Sequence, residues 1–106
     1  MIPEIDVDEL AERLAGGAVL LDVREVDEYE EAHVPGAELI PLSELGQRLD
    51  DVPAASPLLL ICKSGGRSMR AAEVLAQRGH DVVNVAGGTM AWMASGRDIA
   101  TGTERG

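Results

Sequence analysis

Leu58-Leu59-Leu60-Ile61 is an unbroken apolar run, with no polar residue to spare for a wet face. A run of this length reads as a buried strand, of the kind covered on both faces in a parallel sheet. Other short apolar runs recur along the chain. Ala18–Leu21 leads into Asp22-Val23-Arg24, Ala37–Ile40 stops at Pro41, and Val82–Val85 precedes Gly87-Gly88. Helical patterns lie between them, and the alternation predicts an α/β domain with a mostly parallel sheet. With 106 residues there is room for one domain and one core. The chain has no Phe, one Trp and one Tyr, so Leu, Val, Ile and Ala have to fill that core.

The helices carry their own punctuation. Ile5 reads as a short first strand, and Asp6 as an N-cap with Glu9 in the first turn behind it. Val7, Leu10, Ala11 and Leu14 then follow with helical spacing, up to Gly16-Gly17. A short helix fits residues 25–32, stopping before Pro35-Gly36. Ser43 is expected to cap a helix with Leu45 and Leu49 on its inner side. After the glycines at 65 and 66, Arg70, Glu73 and Gln77 form a polar face and Ala72, Leu75 and Ala76 an inner one. Thr89 is expected to cap a last helix, with Met90 and Trp92 in the core. The domain is read as residues 1–96, and 97–106 as a flexible, polar C-terminal tail.

Cys62 opens the segment CKSGGRS (62–68), between the apolar run and the helical pattern. Backbone N–H groups of a strand-to-helix loop, and of the helix start behind it, point toward anionic charge. Lys63 and Arg67 add cations, and all of these favour a thiolate over a thiol. Gly65-Gly66 lets the backbone close around one point, while Ser64 and Ser68 add hydroxyl donors. A lone cysteine is more often an inert buried thiol. Here the cysteine, the glycines and the cations occur together, which points to a reactive sulfur. The loop has neither the G-x-x-x-x-G-K-[ST] phosphate pattern nor the G-x-G-x-x-G dinucleotide pattern.

One cysteine excludes an internal disulfide, a cysteine-rich metal cluster and a thioredoxin-like pair. His33 and His80 lack metal-ligand spacing, so neither a metal nor another cofactor is expected. The net charge of −10 argues against nucleic acid or an anionic membrane as partner. Against that charge Lys63, Arg67 and Arg70 stand out, because cations at a helix start oppose its dipole unless an anion binds there. No stretch approaches the roughly 18–20 apolar residues of a membrane span. The acidic start MIPEIDVDEL does not read as a signal peptide, so a reducing cytoplasm is the expected compartment.

Three segments, LLDVREVDEYEEAHVPGAELIP (20–41), LLLICKSGGRSMRAAEVLAQRG (58–79) and VVNVAGGTMAW (82–92), resemble a single-domain rhodanese in that order. The likeness covers about residues 4–96. It implies a five-stranded, mostly parallel sheet with helices on both faces. It also implies a sulfurtransferase in which Cys62 takes a sulfane sulfur from thiosulfate or a similar small anionic donor. Cyanide, a thiol or a protein thiol would then accept it. Lys63, Ser64, Gly65, Gly66, Arg67 and Ser68 would form the loop around the sulfur, with Lys63 and Arg67 holding the donor. Asp22 would support that edge, and Arg24 would pair with an acid such as Glu28. His33 occupies the place of a structural histidine, although Ala32 replaces the glycine usual before it.

Other functions remain open at this level. Cysteine-dependent phosphatases and arsenate reductases resemble this fold, but their loop holds one residue more between Cys and Arg, as a tetrahedral phosphate requires. Non-catalytic modules of the family commonly lose the cysteine kept here. A persulfide carrier with a dedicated protein acceptor would use the same loop chemistry.

Overall fold

The four apolar residues Leu58–Ile61 form the central strand of the computed structural model, which describes residues 1–106. In chain order the elements begin with β1 (Glu4–Ile5), α1 (Val7–Ala15), β2 (Val19–Asp22), α2 (Val26–Glu31), β3 (Glu38–Leu39) and α3 (Leu42–Leu45). A 3-10 turn over Leu49–Asp51 leads to β4 (Leu58–Ile61), followed by α4 (Gly66–Gln77), β5 (Val82–Val85) and α5 (Gly88–Ala94). The sheet has five strands in the order β1-β5-β4-β2-β3. Every strand pair is parallel. Thus β4 lies in the middle, which is why all four of its residues are apolar and buried.

Alternation along the strands divides the interior in two. Leu58, Leu60, Leu21, Val23 and Val82 face a cluster with Leu45, Ala71, Ala72 and Leu75, and so with α3 and α4. Leu59, Ile61, Leu20, Val83 and Val85 face the opposite cluster with Leu10, Tyr29 and Trp92, from α1, α2 and α5. Helices therefore cover both faces, as the likeness implied. Cys62 continues the alternation and falls on the α4 side.

Several local expectations are met. Asp6 caps α1, its carboxylate accepting from the Glu9 N–H at 2.9 Å, and Gly16 ends the helix. Others are corrected. Pro41, not Ser43, precedes the first turn of α3, and Leu49 lies beyond that helix in the 3-10 turn. Ser43 points back instead and donates to the Glu25 carboxylate at 3.0 Å. Ala76 is exposed, and Ala71 takes the inner position on α4. Residues 97–106, read as a flexible tail, run back along 30–36. The N–H of His33 donates to Ala100 at 2.9 Å, that of Ala100 to His33 at 2.8 Å and that of Gly102 to Glu30 at 2.8 Å. The His33 ring stacks on Tyr29, and its nitrogens lie 2.7 Å from the Tyr29 carbonyl oxygen and 2.8 Å from that of Glu104. It is a buried packing residue, as its place in the sequence suggested.

At the carboxyl end of β2 a buried ion pair fixes the chain. Arg24 was expected to meet Glu28. Its Nε and Nη2 instead donate to the two oxygens of Asp22, at 3.0 and 2.8 Å. In extended backbone, residues two apart share a side, so Asp22 is within easier reach than a helix residue. Asp22 also accepts from the Arg24 N–H at 3.0 Å, and Arg24 Nη2 donates to the Ala32 carbonyl at 2.7 Å. The pair thereby ties β2 to the far end of α2. Its side chains retain 6% and 0% of their surface, so losing one partner leaves an uncompensated buried charge. Asp22→Ala is expected to lower stability by about 3–5 kcal/mol, read as a shift of the urea unfolding midpoint at neutral pH.

Candidate active site

Cys62 is the first residue past β4, and the chain turns there into α4. The turn is made by Gly65, whose φ of 111° lies in the left-handed region that glycine adopts without a Cβ penalty. Two contacts hold the loop from behind. The N–H of Thr89 donates to the Cys62 carbonyl at 2.8 Å, and that of Met90 to the Lys63 carbonyl at 3.0 Å. Gly88 permits this approach, because a Cβ there would lie 2.5 Å from both carbonyl oxygens. Asn84 of β5 adds a third tether, its Nδ2 donating to the Gly65 carbonyl at 3.2 Å. The carbonyls of Cys62, Lys63 and Gly65 are thus bound from β5 and α5.

The loop's N–H groups are not held in this way. No backbone carbonyl accepts from the N–H groups of residues 64–68, the orphan donors of the loop and of the first turn of α4. The Gly65 N–H donates to Cys62 Sγ at 3.1 Å, and Ser68 Oγ donates to the same sulfur at 3.3 Å. Burial is the largest single influence on the thiol and pushes its pKa up. The Ser68 hydroxyl, followed by the N–H groups of Ser68, Gly65 and Ser64, outweighs burial and brings the thiol below its usual range. Lys63 and Arg67, credited with this role from sequence, are not among these principal causes. Neutral donors favour the thiolate here.

Both cations have other circumstances. Arg67 is clamped by Glu28, Nη1 to Oε1 at 2.7 Å and Nη2 to Oε2 at 2.8 Å. Lys63 is exposed and makes no ion pair. Ser64 and Gly66 are exposed on the loop, and Ser68 is fully buried beneath it. Arg70 is exposed on α4 and likewise unpaired. Beside the loop is an open cleft of about 260 Å³ lined by Arg24, Glu28, Glu31, Ala32, Lys63, Thr89, Met90 and Met93.

The structure therefore brings Cys62, the loop 63–68 and the Asp22–Arg24 pair to one edge of the sheet, as the sequence indicated. Sequence reasoning missed Asn84, Thr89, Met90 and Met93 as neighbours of this edge. Asn84 was visible as the one polar residue in the VVNV run. Thr89 was read as a cap, but Gly87 at φ 80° takes that place and Thr89 is buried in the first turn of α5. Met90 was read as core and is 54% exposed, whereas Trp92 is buried as expected.

A parallel sheet ending in a cysteine loop of this kind defines a class, and comparison with known proteins agrees. The pattern of the rhodanese-like domain matches residues 6–95. A sulfurtransferase of Allochromatium vinosum is 33% identical over 102 residues, covering 93% of this chain and 95% of its own. YrkF of Bacillus subtilis, provisionally named a sulfur carrier protein, is 38% identical over 94 residues; these span 86% of this chain and 51% of YrkF. Among solved structures, a rhodanese-related protein from Thermoplasma volcanium superposes with a TM-score of 0.86 at 30% identity, over 96% of this chain and 99% of the other. A thiosulfate sulfurtransferase from Pseudomonas aeruginosa gives 0.83 at 33% identity, over 98% of this chain and 20% of the larger protein. The chain belongs to the rhodanese-like domain family.

Removing the Ser68 hydroxyl tests the account of the sulfur. In wild type the rate of Cys62 alkylation by iodoacetamide is expected to rise with pH about a midpoint below that of an ordinary thiol. Ser68→Ala is expected to move the midpoint upward, since it deletes a donor that favours the charged form. An unmoved midpoint would assign the shift to the backbone N–H groups alone.

Proposed function

We propose that the protein is a rhodanese-type sulfurtransferase in which Cys62 carries a sulfane sulfur as a persulfide. The observation that supports this best is the run of N–H groups over residues 64–68 with no backbone acceptor, from which Gly65, joined by the Ser68 hydroxyl, already donates to Sγ. In the first step the Cys62 thiolate attacks the outer sulfur of thiosulfate or a similar small anionic donor. The donor's S–S bond breaks with its electron pair on the leaving sulfite, and a Cys62–S–S⁻ persulfide forms. The free N–H groups of the loop would cradle the terminal sulfur, as they would any anion placed there. In the second step cyanide or a thiolate attacks that terminal sulfur, and the Cys62 thiolate leaves. This is two-step covalent catalysis with no resolving cysteine, because the acceptor is a second molecule. Lys63 is the group available to meet the donor's charge. The reading includes a reducing compartment such as the cytoplasm, where a lone thiol stays available.

A second reading shares the first step. Met90 and Met93 are 54% and 48% exposed beside the cleft, an apolar border that suits a protein thiol as acceptor. The protein would then be a persulfide carrier for a dedicated partner. Phosphate chemistry fits less well, because the loop between Cys62 and Arg67 is short for a tetrahedral ester.

Intact mass after incubation with thiosulfate is expected to rise by one sulfur in wild type and not in Cys62→Ser. Cyanide should remove the added mass and release thiocyanate. Loading by thiosulfate with poor turnover to small acceptors would favour the carrier. Absence of the adduct would remove thiosulfate as donor.

A further inference from the structure

Two guanidinium groups lie at the cleft beside the loop, Arg24 in its lining and Arg67 behind the lining residue Glu28, and each is bound in a bidentate grip by a carboxylate. Arg24 is held by Asp22, and Arg67 by Glu28. The wall adds Lys63 and a further carboxylate, Glu31. Among the residues lining the cleft, Lys63 is therefore the one cation not already paired with a carboxylate. For thiosulfate this is a poor match, because it brings two negative charges toward a third on Sγ. A loop with Lys63 and Arg67 looks strongly cationic in sequence, yet the folded mouth is nearly balanced.

The uncharged part of the cleft points to a different donor. Ala32, Met90 and Met93 supply an apolar wall, and methionine sulfur and methyl groups suit aromatic or alkyl bodies. Thr89 Oγ1 is buried at 2% exposure on the same wall and has no hydrogen-bond partner. The volume of about 260 Å³ is ample for a ring, since a cavity of about 150 Å³ already takes benzene.

We propose that Glu28 sets the charge of the donor: by pairing with Arg67 it offsets the positive charge there, so the site favours a monoanionic sulfane donor with an apolar body, such as an organic thiosulfonate, over dianionic thiosulfate. The inference rests on Cys62 being the sulfur acceptor. The bond changes are the same for both donors. Cys62 Sγ attacks the outer sulfur, and the S–S electron pair departs on a sulfinate from the organic donor or on sulfite from thiosulfate. The two reactions differ by one negative charge, carried from reactant to leaving group. Arg67 holds the Glu28 carboxyl down to about 2 against the opposing effect of burial, so Glu28 stays charged throughout the neutral range. Ionisation of Glu28 thus does not alter the preference in that range.

The test compares three donors with cyanide as acceptor: thiosulfate, methanethiosulfonate and benzenethiosulfonate. The first two are close in size and differ in charge; the last two share a charge and differ in apolar body. Glu28→Gln keeps a hydrogen-bonding partner for Arg67 and removes the negative charge. It is expected to raise kcat/KM for thiosulfate relative to methanethiosulfonate by about tenfold, the size of one charge interaction near a protein surface. Joint Met90→Ala and Met93→Ala substitution is expected to lower benzenethiosulfonate use relative to methanethiosulfonate. A ratio of two donors within one sample cancels the fraction of protein folded, and comparing that ratio between variant and wild type cancels intrinsic donor reactivity. A ratio unchanged or lowered in Glu28→Gln would overturn the role of Glu28, leaving the pair with Arg67 purely structural. A benzenethiosulfonate ratio unaffected by the methionines would overturn the apolar subsite. Wild-type protein loaded by none of the donors would overturn the sulfur-transfer reading itself, a failure distinct from either of these.

Discussion

A thiolate at Cys62, a residue with 1% of its surface exposed, would have to find its hydrogen bonds inside the protein, and the carboxyl edge of this sheet supplies them. Burial opposes ionisation of Cys62, so the N–H groups of the loop and the Ser68 hydroxyl must more than offset it. They can do so only if the loop's carbonyls are turned away. Thr89, Met90 and Asn84 bind those carbonyls from α5 and β5, and Gly88 lets α5 come close enough. The placement of α5, the conformation of Gly65 and the polar residue inside β5 are consequences of one requirement. A side chain at position 88 would undo the arrangement without touching the sulfur.

The second constraint is charge. With −10 overall, the protein presents its reactive edge through paired ions rather than through a positive field. Asp22–Arg24 is structural, since it is buried and binds the Ala32 carbonyl as well. Glu28–Arg67 is different. It lies half in solvent at the rim, joining α2 to the first turn of α4, so it both closes the loop's far end and sets the charge a donor meets.

Much of this was legible in the chain because it is local. Leu58–Ile61 can bury both faces only in the middle of a parallel sheet, and Gly65-Gly66 after a cysteine marks a tight turn into a helix. The Asp6 cap follows from residue type and spacing. What escaped depends on contacts between distant segments. Glu28 has Arg24 nearby in sequence and Arg67 nearby in space, and spacing favoured the wrong partner. Capping preferences named Ser43 and Thr89, but backbone geometry gave those places to Pro41 and Gly87. Met90 looked like core because apolar type alone does not say which side of a short helix is covered. The tail was polar and glycine-rich, which reads as loose, yet its backbone pairs with His33 and Glu30 through groups that composition does not reveal.

The N–H groups of residues 64–68, free of backbone acceptors, are placed to receive an anion at Cys62. The most direct measurement is a crystal structure of the sulfur-loaded protein. The account predicts a second sulfur on Cys62 Sγ, lying inside the loop and within hydrogen-bonding reach of those N–H groups. A second sulfur turned out of the loop into the cleft, with the N–H groups bound to water instead, would contradict it.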